Sequence, residues 1–306
     1  MQTSRYIIKR ILLAILSLFA IITVTFFLMN LMPGDPFMSE KATEENRAIL
    51  IAKYGLDQPV YVQYGRYLSN LMKGDMGTSY VLQKGRAVNN IISESFRVSM
   101  RLGLRALAVA VVLGIILGCI SGLCKDRLPD NIIRVLSSLG ISMPGYVVAS
   151  TLMIIFAVNL GILPVSYNKP GGVIMPVITL ALYPTSYLIR LTRASILEVM
   201  NQDYLRTERA KGMSEAVVVF VHALKNSLIP VITYLGPLTA HILTGGFVAE
   251  SVFNVPGLGR YFVSSTSSRD YTMIMGVTIF YSTLIVIMNL VCDILYKVVD
   301  PRITLD

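Results

Sequence analysis

Tryptophan is absent from the 306 residues, and only 15% of them are charged. A soluble domain averages about 25% charged residues, so a soluble fold of this length would lack the polar surface to cover its core. Cysteine is scarce: Cys119 and Cys292 lie in apolar runs and Cys124 ends one. An odd count without paired spacing argues against a disulfide framework or a zinc site, and all three read as small buried apolar residues. Histidine is limited to His222 and His241. The chain has no Gly-x-x-x-x-Gly-Lys-Ser/Thr phosphate loop, so it is not itself an ATPase.

What is present is apolar sequence. Hydrophobic residues make up 54% of the chain, and the mean hydropathy is +0.64. A spanning helix needs about 20 such residues, at about 1.5 Å each through a core of about 30 Å. Uncharged stretches of that order run from Ile11 to Met32, Ala106 to Cys124, Val135 to Asn168, Pro170 to Ile189, Asn226 to Ala249 and Tyr271 to Cys292. The third is too long for one span and must end near Gly161 and Pro164. Lys9 and Arg10 precede the first, but that run is longer than a signal core and no small-x-small cleavage site follows, so an uncleaved anchor is expected. With tryptophan missing, interface anchoring falls to the 16 tyrosines and to Lys and Arg. The expected fold is an all-α integral membrane protein with about six transmembrane helices.

The net charge of +9 is not gathered in one arm; the basic residues sit beside apolar runs. That pattern suits membrane orientation better than nucleic-acid binding. Six spans put both termini on one side. If that side is the cytoplasm, the inner segments hold Lys9, Arg10, Lys125, Arg127, Arg190, Arg193, Arg206, Arg209, Lys211 and Lys225, whereas the short outer loops hold Lys169, Arg260 and Arg269. A cytoplasmic excess of Lys and Arg favours this orientation, and long loops count little in the rule. Residues 1–32 are then an N-terminal segment and first transmembrane helix. Residues 33–97 form an extracytoplasmic loop. Residues 98–306 form a core with five transmembrane helices and an inner coupling loop over 194–226.

The outer loop has helical pattern. Thr43 to Tyr54 reads as a helix stopped by Gly55. A second helix is expected from Pro59, a residue suited to a first turn, to Leu71, with Val60, Tyr64, Tyr67, Leu68 and Leu71 on one stripe. The inner loop between the fourth and fifth spans is longer than a simple connection. Met213, Val217, Phe220, Leu224 and Leu228 fall on one helical face, while Glu208, Arg209, Lys211 and Glu215 lie on the other. Gly212 offers a hinge. Such a segment can lie along the inner membrane surface and present a polar end to a partner.

Asp203-Tyr204-Leu205-Arg206-Thr207-Glu208-Arg209-Ala210-Lys211-Gly212, followed by His222-Ala223-Leu224-Lys225-Asn226-Ser227-Leu228-Ile229-Pro230, resembles the inner-loop signature of ABC importer permeases, in the Arg-Thr-x-Arg-Ala-Lys-Gly form of the peptide and nickel branch. Position x is usually Ala there and is Glu208 here. Leu31-Met32-Pro33-Gly34-Asp35-Pro36, Gly74-Asp75-Met76-Gly77, Val255-Pro256-Gly257-Leu258-Gly259 and Asp300-Pro301-Arg302-Ile303 extend the resemblance over nearly the full length. Thr233-Tyr234-Leu235-Gly236-Pro237 and Thr244-Gly245 lean toward the oligopeptide subunits rather than the dipeptide or glutathione ones.

The resemblance implies a membrane-spanning, non-enzymatic subunit of an ATP-driven importer in a bacterial-type plasma membrane. Its partners would be a second homologous permease, two ATPase subunits that bind ATP and magnesium, and an extracytoplasmic peptide-binding protein; no cofactor or metal is expected in the chain itself. The implied coupling site is Arg206, Thr207, Glu208, Ala210 and Gly212. Polar groups inside spans are costly and often functional, which makes Thr239, His241, Thr244 and Asn289 candidates for the translocation path. For His241, a hydrogen bond between helices is an equal expectation. A nickel importer would favour more His and acidic groups near the path. A channel would show a filter-like loop of Gly and Tyr, a secondary transporter two related halves, and an intramembrane enzyme paired reactive groups. None of these is visible in the sequence.

Overall fold

The computed structural model describes residues 2–31, 48–49, 51–52 and 55–299; the side chains of 2–8, 245 and 292–299 are excluded. Among the described residues the chain is helical throughout, with a single isolated bridge between Thr78 and Ala87. The helices are α1 (Gln2–Leu31), α2 (Val60–Met72), α3 (Val88–Leu123), α4 (Leu128–Ser142) and α5 (Gly145–Leu152, continued by a π-helical stretch Met153–Asn159). Then come α6 (Ile174–Met200), α7 (Asp203–Ala210), the long interrupted helix α8 (Glu215–Val252), α9 (Leu258–Ser268) and α10 (Tyr271–Val299). Five helices are long and apolar enough to cross a membrane, and the bent pair α4–α5 makes a sixth if counted as one span.

Three boundaries depart from the expected ones. The helix of the second span starts at Val88 and not near Ala106, so residues 88–97 are helical. Its 36 residues reach about 54 Å at 1.5 Å each, well beyond a bilayer core. The third stretch starts at Leu128 and breaks at Met143–Pro144, where its two helices bend by 106°. The cause is local: a residue before proline is pushed out of the helical region, and Met143 sits at φ −80°, ψ 124°. The fourth span runs on to Met200, which carries Arg190 and Arg193 on the helix itself. The helix expected over Thr43–Tyr54 lies mostly outside the described residues; 48–49 and 51–52 are helical, and Gly55 follows at φ +68°.

The fold divides into two compact units. The first comprises the described residues up to Ser99 together with residues 256–287. Its core joins Val88, Ile91 and Ile92 of α3 to Leu258, Met273 and Val277. A second cluster packs Phe26 and Met29 of α1 against Ile274, Met275 and Ile279 of α10, with Tyr64, Tyr67 and Leu71 of α2 beside them. The α2 stripe read from sequence is thus the face that packs, and Tyr64 also shares a 2.7 Å hydrogen bond with Thr23. Asp270, fully buried, caps α10 and gathers the preceding outer segment. It accepts the backbone N–H groups of Tyr80 (3.1 Å), Val81 (3.1 Å) and Leu82 (3.0 Å) as well as the Ser79 hydroxyl.

The second unit comprises residues 100–255 and 288–299. Its core is Ala106 and Ala110 of α3, Ala181 and Leu188 of α6, and Val231, Leu238 and Ile242 of α8. Outside these cores α1 turns Leu12, Leu16, Phe19, Val24, Leu28 and Leu31 outward, the surface a helix needs when its solvent is lipid.

Candidate functional site

The connection between α6 and α8 spans only residues 201–214, because both flanking helices extend into the segment expected as a loop over 194–226. Asn201 and Gln202 break α6 after Met200, and α7 follows as two helical turns. Asp203 in its first turn and Arg209 in its last complement the helix dipole. Eight residues are too few for a self-supporting helix, so tertiary contacts must hold it.

A single apolar side chain does most of this. Leu205 is fully buried against Val218 and Ala223, with Val199 and Met200 beside it. Tyr204 adds a polar tie, its hydroxyl receiving a 2.8 Å hydrogen bond from Asn226. Gly212 ends the segment at φ +81°, a left-handed conformation with open space around its α-carbon. That is the geometry a glycine adopts without strain, and it makes the turn between α7 and α8.

The residues of the signature face outward. Arg206, Thr207, Ala210 and Gly212 are exposed, and Glu208 is partly covered. Within the chain Arg206 reaches Asp203 at 3.4 Å and Lys211 reaches Glu208 at 3.1 Å. The second Glu208 oxygen is buried and has no hydrogen-bond partner among the described residues. Arg209 makes a two-pronged bond to Glu215, at 3.0 and 2.8 Å, which bridges α7 to the start of α8 across the Gly212 turn. That hydrogen bonding raises the Arg209 pKa above its ordinary value. Sequence reasoning placed Arg209 and Glu215 on one polar face without pairing them.

Met213, Val217 and Phe220 of the expected apolar stripe are exposed, and the buried residues are Val218, Ala223 and Ser227. A π-helical stretch covers Val218–Ala223. A π turn closes i to i+5, so Val218 and Ala223, five apart, share the inner side. The segment is also no separate surface helix, because it runs into the fifth span.

The path candidates are dispersed. Thr239 and Thr244 spend their hydroxyls on their own helix, donating to the carbonyls of Leu235 (2.7 Å) and Ala240 (2.8 Å). Asn289 is exposed on α10. His241 is exposed and has its ring centroid 6.1 Å from that of Tyr183. Both line a cavity of about 400 Å³ at the α4–α5 break, with Pro144, Gly145 and Phe247. Pro144-Gly145 opens α5 after the bend, and Pro184 sits inside α6 on this cavity's wall. No group of three or more His, Cys, Asp or Glu able to hold a metal occurs among the described residues.

Comparison with known proteins places this geometry. Residues 110–305 match the family described as binding-protein-dependent transport system inner membrane component, and residues 3–102 match its N-terminal membrane component. The oligopeptide transport system permease protein OppB of Haemophilus influenzae is 43% identical over 303 residues, 98% of this chain and 99% of that protein. The dipeptide transport system permease protein DppB of Bacillus subtilis is 42% identical over 304 residues, 99% of this chain and 98% of that protein. Among solved structures, an amino acid ABC transporter crystallised with histidines superposes with a TM-score of 0.55 at 16% identity, over 70% of this chain and 95% of that one. The MetNI methionine ABC transporter in inward-facing form gives 0.51 at 13% identity, over 69% and 96%. These two likenesses bear on the fold alone. With both family segments matched in order and relatives aligned along nearly its whole length, the chain belongs to the family of binding-protein-dependent transport system inner membrane components.

Proposed function

We propose that this chain is a membrane-spanning subunit of an ATP-driven importer of oligopeptides, forming one wall of the translocation path. The observation that carries the reading is α7: a short polar helix, pinned between two membrane helices by one buried leucine, with its charged side chains turned outward. Such a helix is a lever end with nothing to do inside its own chain. The identity of 43% to an oligopeptide permease along the full length supplies the substrate class. A dipeptide importer is the second reading, favoured by the 42% identity to DppB.

Arg206, Thr207, Glu208, Ala210 and Gly212 form the surface that meets an ATPase subunit. Ala210 and Gly212 allow close approach, while Arg206 and Glu208 exchange their weak internal partners for partners across the interface. A second permease completes the path, two ATPases supply energy, and an extracytoplasmic binding protein delivers peptide. Both termini lie in the cytoplasm, in keeping with the charge asymmetry, and the chain needs no cofactor of its own. His241 is the strongest path candidate because it lines the cavity at the α4–α5 break.

The test is proximity. With Cys119, Cys124 and Cys292 replaced, Thr207→Cys should cross-link to a cysteine in the groove of a co-expressed ATPase subunit, with a yield that changes on ATP addition. Absence of any cross-link from positions 206–210 in an assembled complex would sink the docking role.

A further inference from the structure

The strongest polar contact of the second unit lies away from the signature. Asp130, in the first turn of α4, is fully buried. It accepts two hydrogen bonds from Arg193 of α6, from Nε at 2.8 Å and from Nη2 at 2.7 Å. It also accepts from the Ser121 hydroxyl of α3 at 2.6 Å and from the Asp126 backbone N–H at 2.9 Å. Asp126 holds φ +60° in the turn that offers this N–H. All the acceptor capacity of a buried carboxylate is thus directed at three elements.

The same three elements are locked by close packing. Gly114, Gly118 and Gly122 of α3 face Leu188, Thr192 and Ile196 of α6 at matching four-residue steps. A methyl group on Gly118 would stand 2.5 Å from Thr192 Cβ and 3.0 Å from the Ile189 carbonyl oxygen. Small residues in such a row let helix backbones approach. Gly140 of α4 faces Ser186 of α6 in the same way, so close packing ties both α3 and α4 to α6.

This block has α7 at one end and a break at the other. Arg193 lies two turns before the end of α6, and only Asn201 and Gln202 separate that end from α7. Asp130 lies at the opposite end of α4 from the 106° bend at Met143–Pro144, where Tyr183 and His241 line the cavity. We propose that Asp130 and Arg193 are positioning residues for coupling: their two-pronged bond passes a displacement of α7 to the foot of α4, which tilts about the Met143–Pro144 break and reshapes the cavity. A single monodentate contact would transmit a pull but leave the helices free to swivel; the planar fork of arginine fixes orientation as well as distance. This inference rests on the docking role given to α7 above.

The test uses the complete transporter in proteoliposomes, with its second permease, both ATPases and peptide-loaded binding protein, and compares Arg193→Lys and Asp130→Asn with the parent. Arg193→Lys keeps the charge pair and loses the fork. Complex yield, ATP hydrolysis, peptide uptake and the Thr207→Cys cross-link are measured for each. In the expected result the complex assembles, the cross-link forms and ATP hydrolysis continues, while peptide taken up per ATP falls by about fivefold or more, the lower end of ordinary coupling strengths. A merely structural pair would lower complex yield and reduce both activities in proportion, and that outcome, or an unchanged ratio, overturns the proposal. Failure of the parent itself to cross-link removes the docking role and this inference with it.

Discussion

Truncating Leu205 to alanine should release the coupling helix while leaving the membrane core intact. Leu205 is fully buried on α7, and its neighbours Val218, Ala223, Val199 and Met200 all belong to the flanking elements. The change removes three carbon groups at about 0.8 kcal/mol each, or about 2.4 kcal/mol. Incomplete collapse of the resulting hole brings Leu→Ala costs to about 2–5 kcal/mol. An eight-residue helix has almost no stability of its own, so the loss falls on the docking of α7 and not on the whole protein. At about 1.4 kcal/mol per factor of ten, the transfer figure of about 2.4 kcal/mol alone shifts the docked-to-undocked ratio by roughly 50-fold. Hydrogen exchange on the complex in nanodiscs reads this directly: amides of 203–210 should exchange faster by about that factor, while those of 180–192 stay protected. Uptake should fall in step with membrane insertion unchanged. Unaltered protection over 203–210 in L205A would refute the reasoning, and would mean that the Tyr204 and Arg209 hydrogen bonds hold the helix without the leucine.

Other consequences follow from the same geometry. Gly212→Val places a branched side chain at φ +81°, at a cost of about 2 kcal/mol for a left-handed residue; peptide uptake should drop while Gly212→Asn, which tolerates that region, retains most of it. Gly118→Leu overpacks the α3–α6 seam, and the thermal midpoint of the purified complex should fall in line with about 1–3 kcal/mol of strain. Asp270→Ala strips the acceptor from three backbone N–H groups; at about 1 kcal/mol each, the low end for partly covered groups, the outer segment 78–87 should become open to added protease. Arg209→Gln removes a surface pair, which should leave the thermal midpoint unchanged because solvent and salt screen such contacts.

Much of this architecture was legible in the sequence, and the exceptions have physical causes. Hydropathy located the spans because each must bury a long apolar stretch in lipid, and the α2 stripe of Tyr64, Tyr67 and Leu71 is the face that packs. The third stretch was expected to end near Gly161 and Pro164, and its 106° bend at Met143–Pro144 depends on tertiary packing that no local pattern encodes. Helix ends were missed at Val88 and Met200 because charged residues were taken as limits of the spans. Arg193 is tolerated in α6 because Asp130 meets it, 63 positions earlier in the chain. The shared burial of Val218 and Ala223 was not legible because periodicity arguments assume 3.6 residues per turn, and the π-helical stretch breaks that assumption. Asp270 gave no local signal at all, since its partners Tyr80, Val81 and Leu82 lie nearly two hundred positions away.

The central claim is that this chain passes the work of partner ATPases to movement of peptides across the membrane. It is tested most directly by peptide accumulation in proteoliposomes containing the complete complex, with labelled pentapeptide and dipeptide supplied on the binding-protein side. The account predicts ATP-dependent accumulation of the pentapeptide, lost when Gly212→Trp replaces the parent chain in a complex that still assembles. Accumulation that proceeds without ATP, or full uptake by the Gly212→Trp complex, would contradict it.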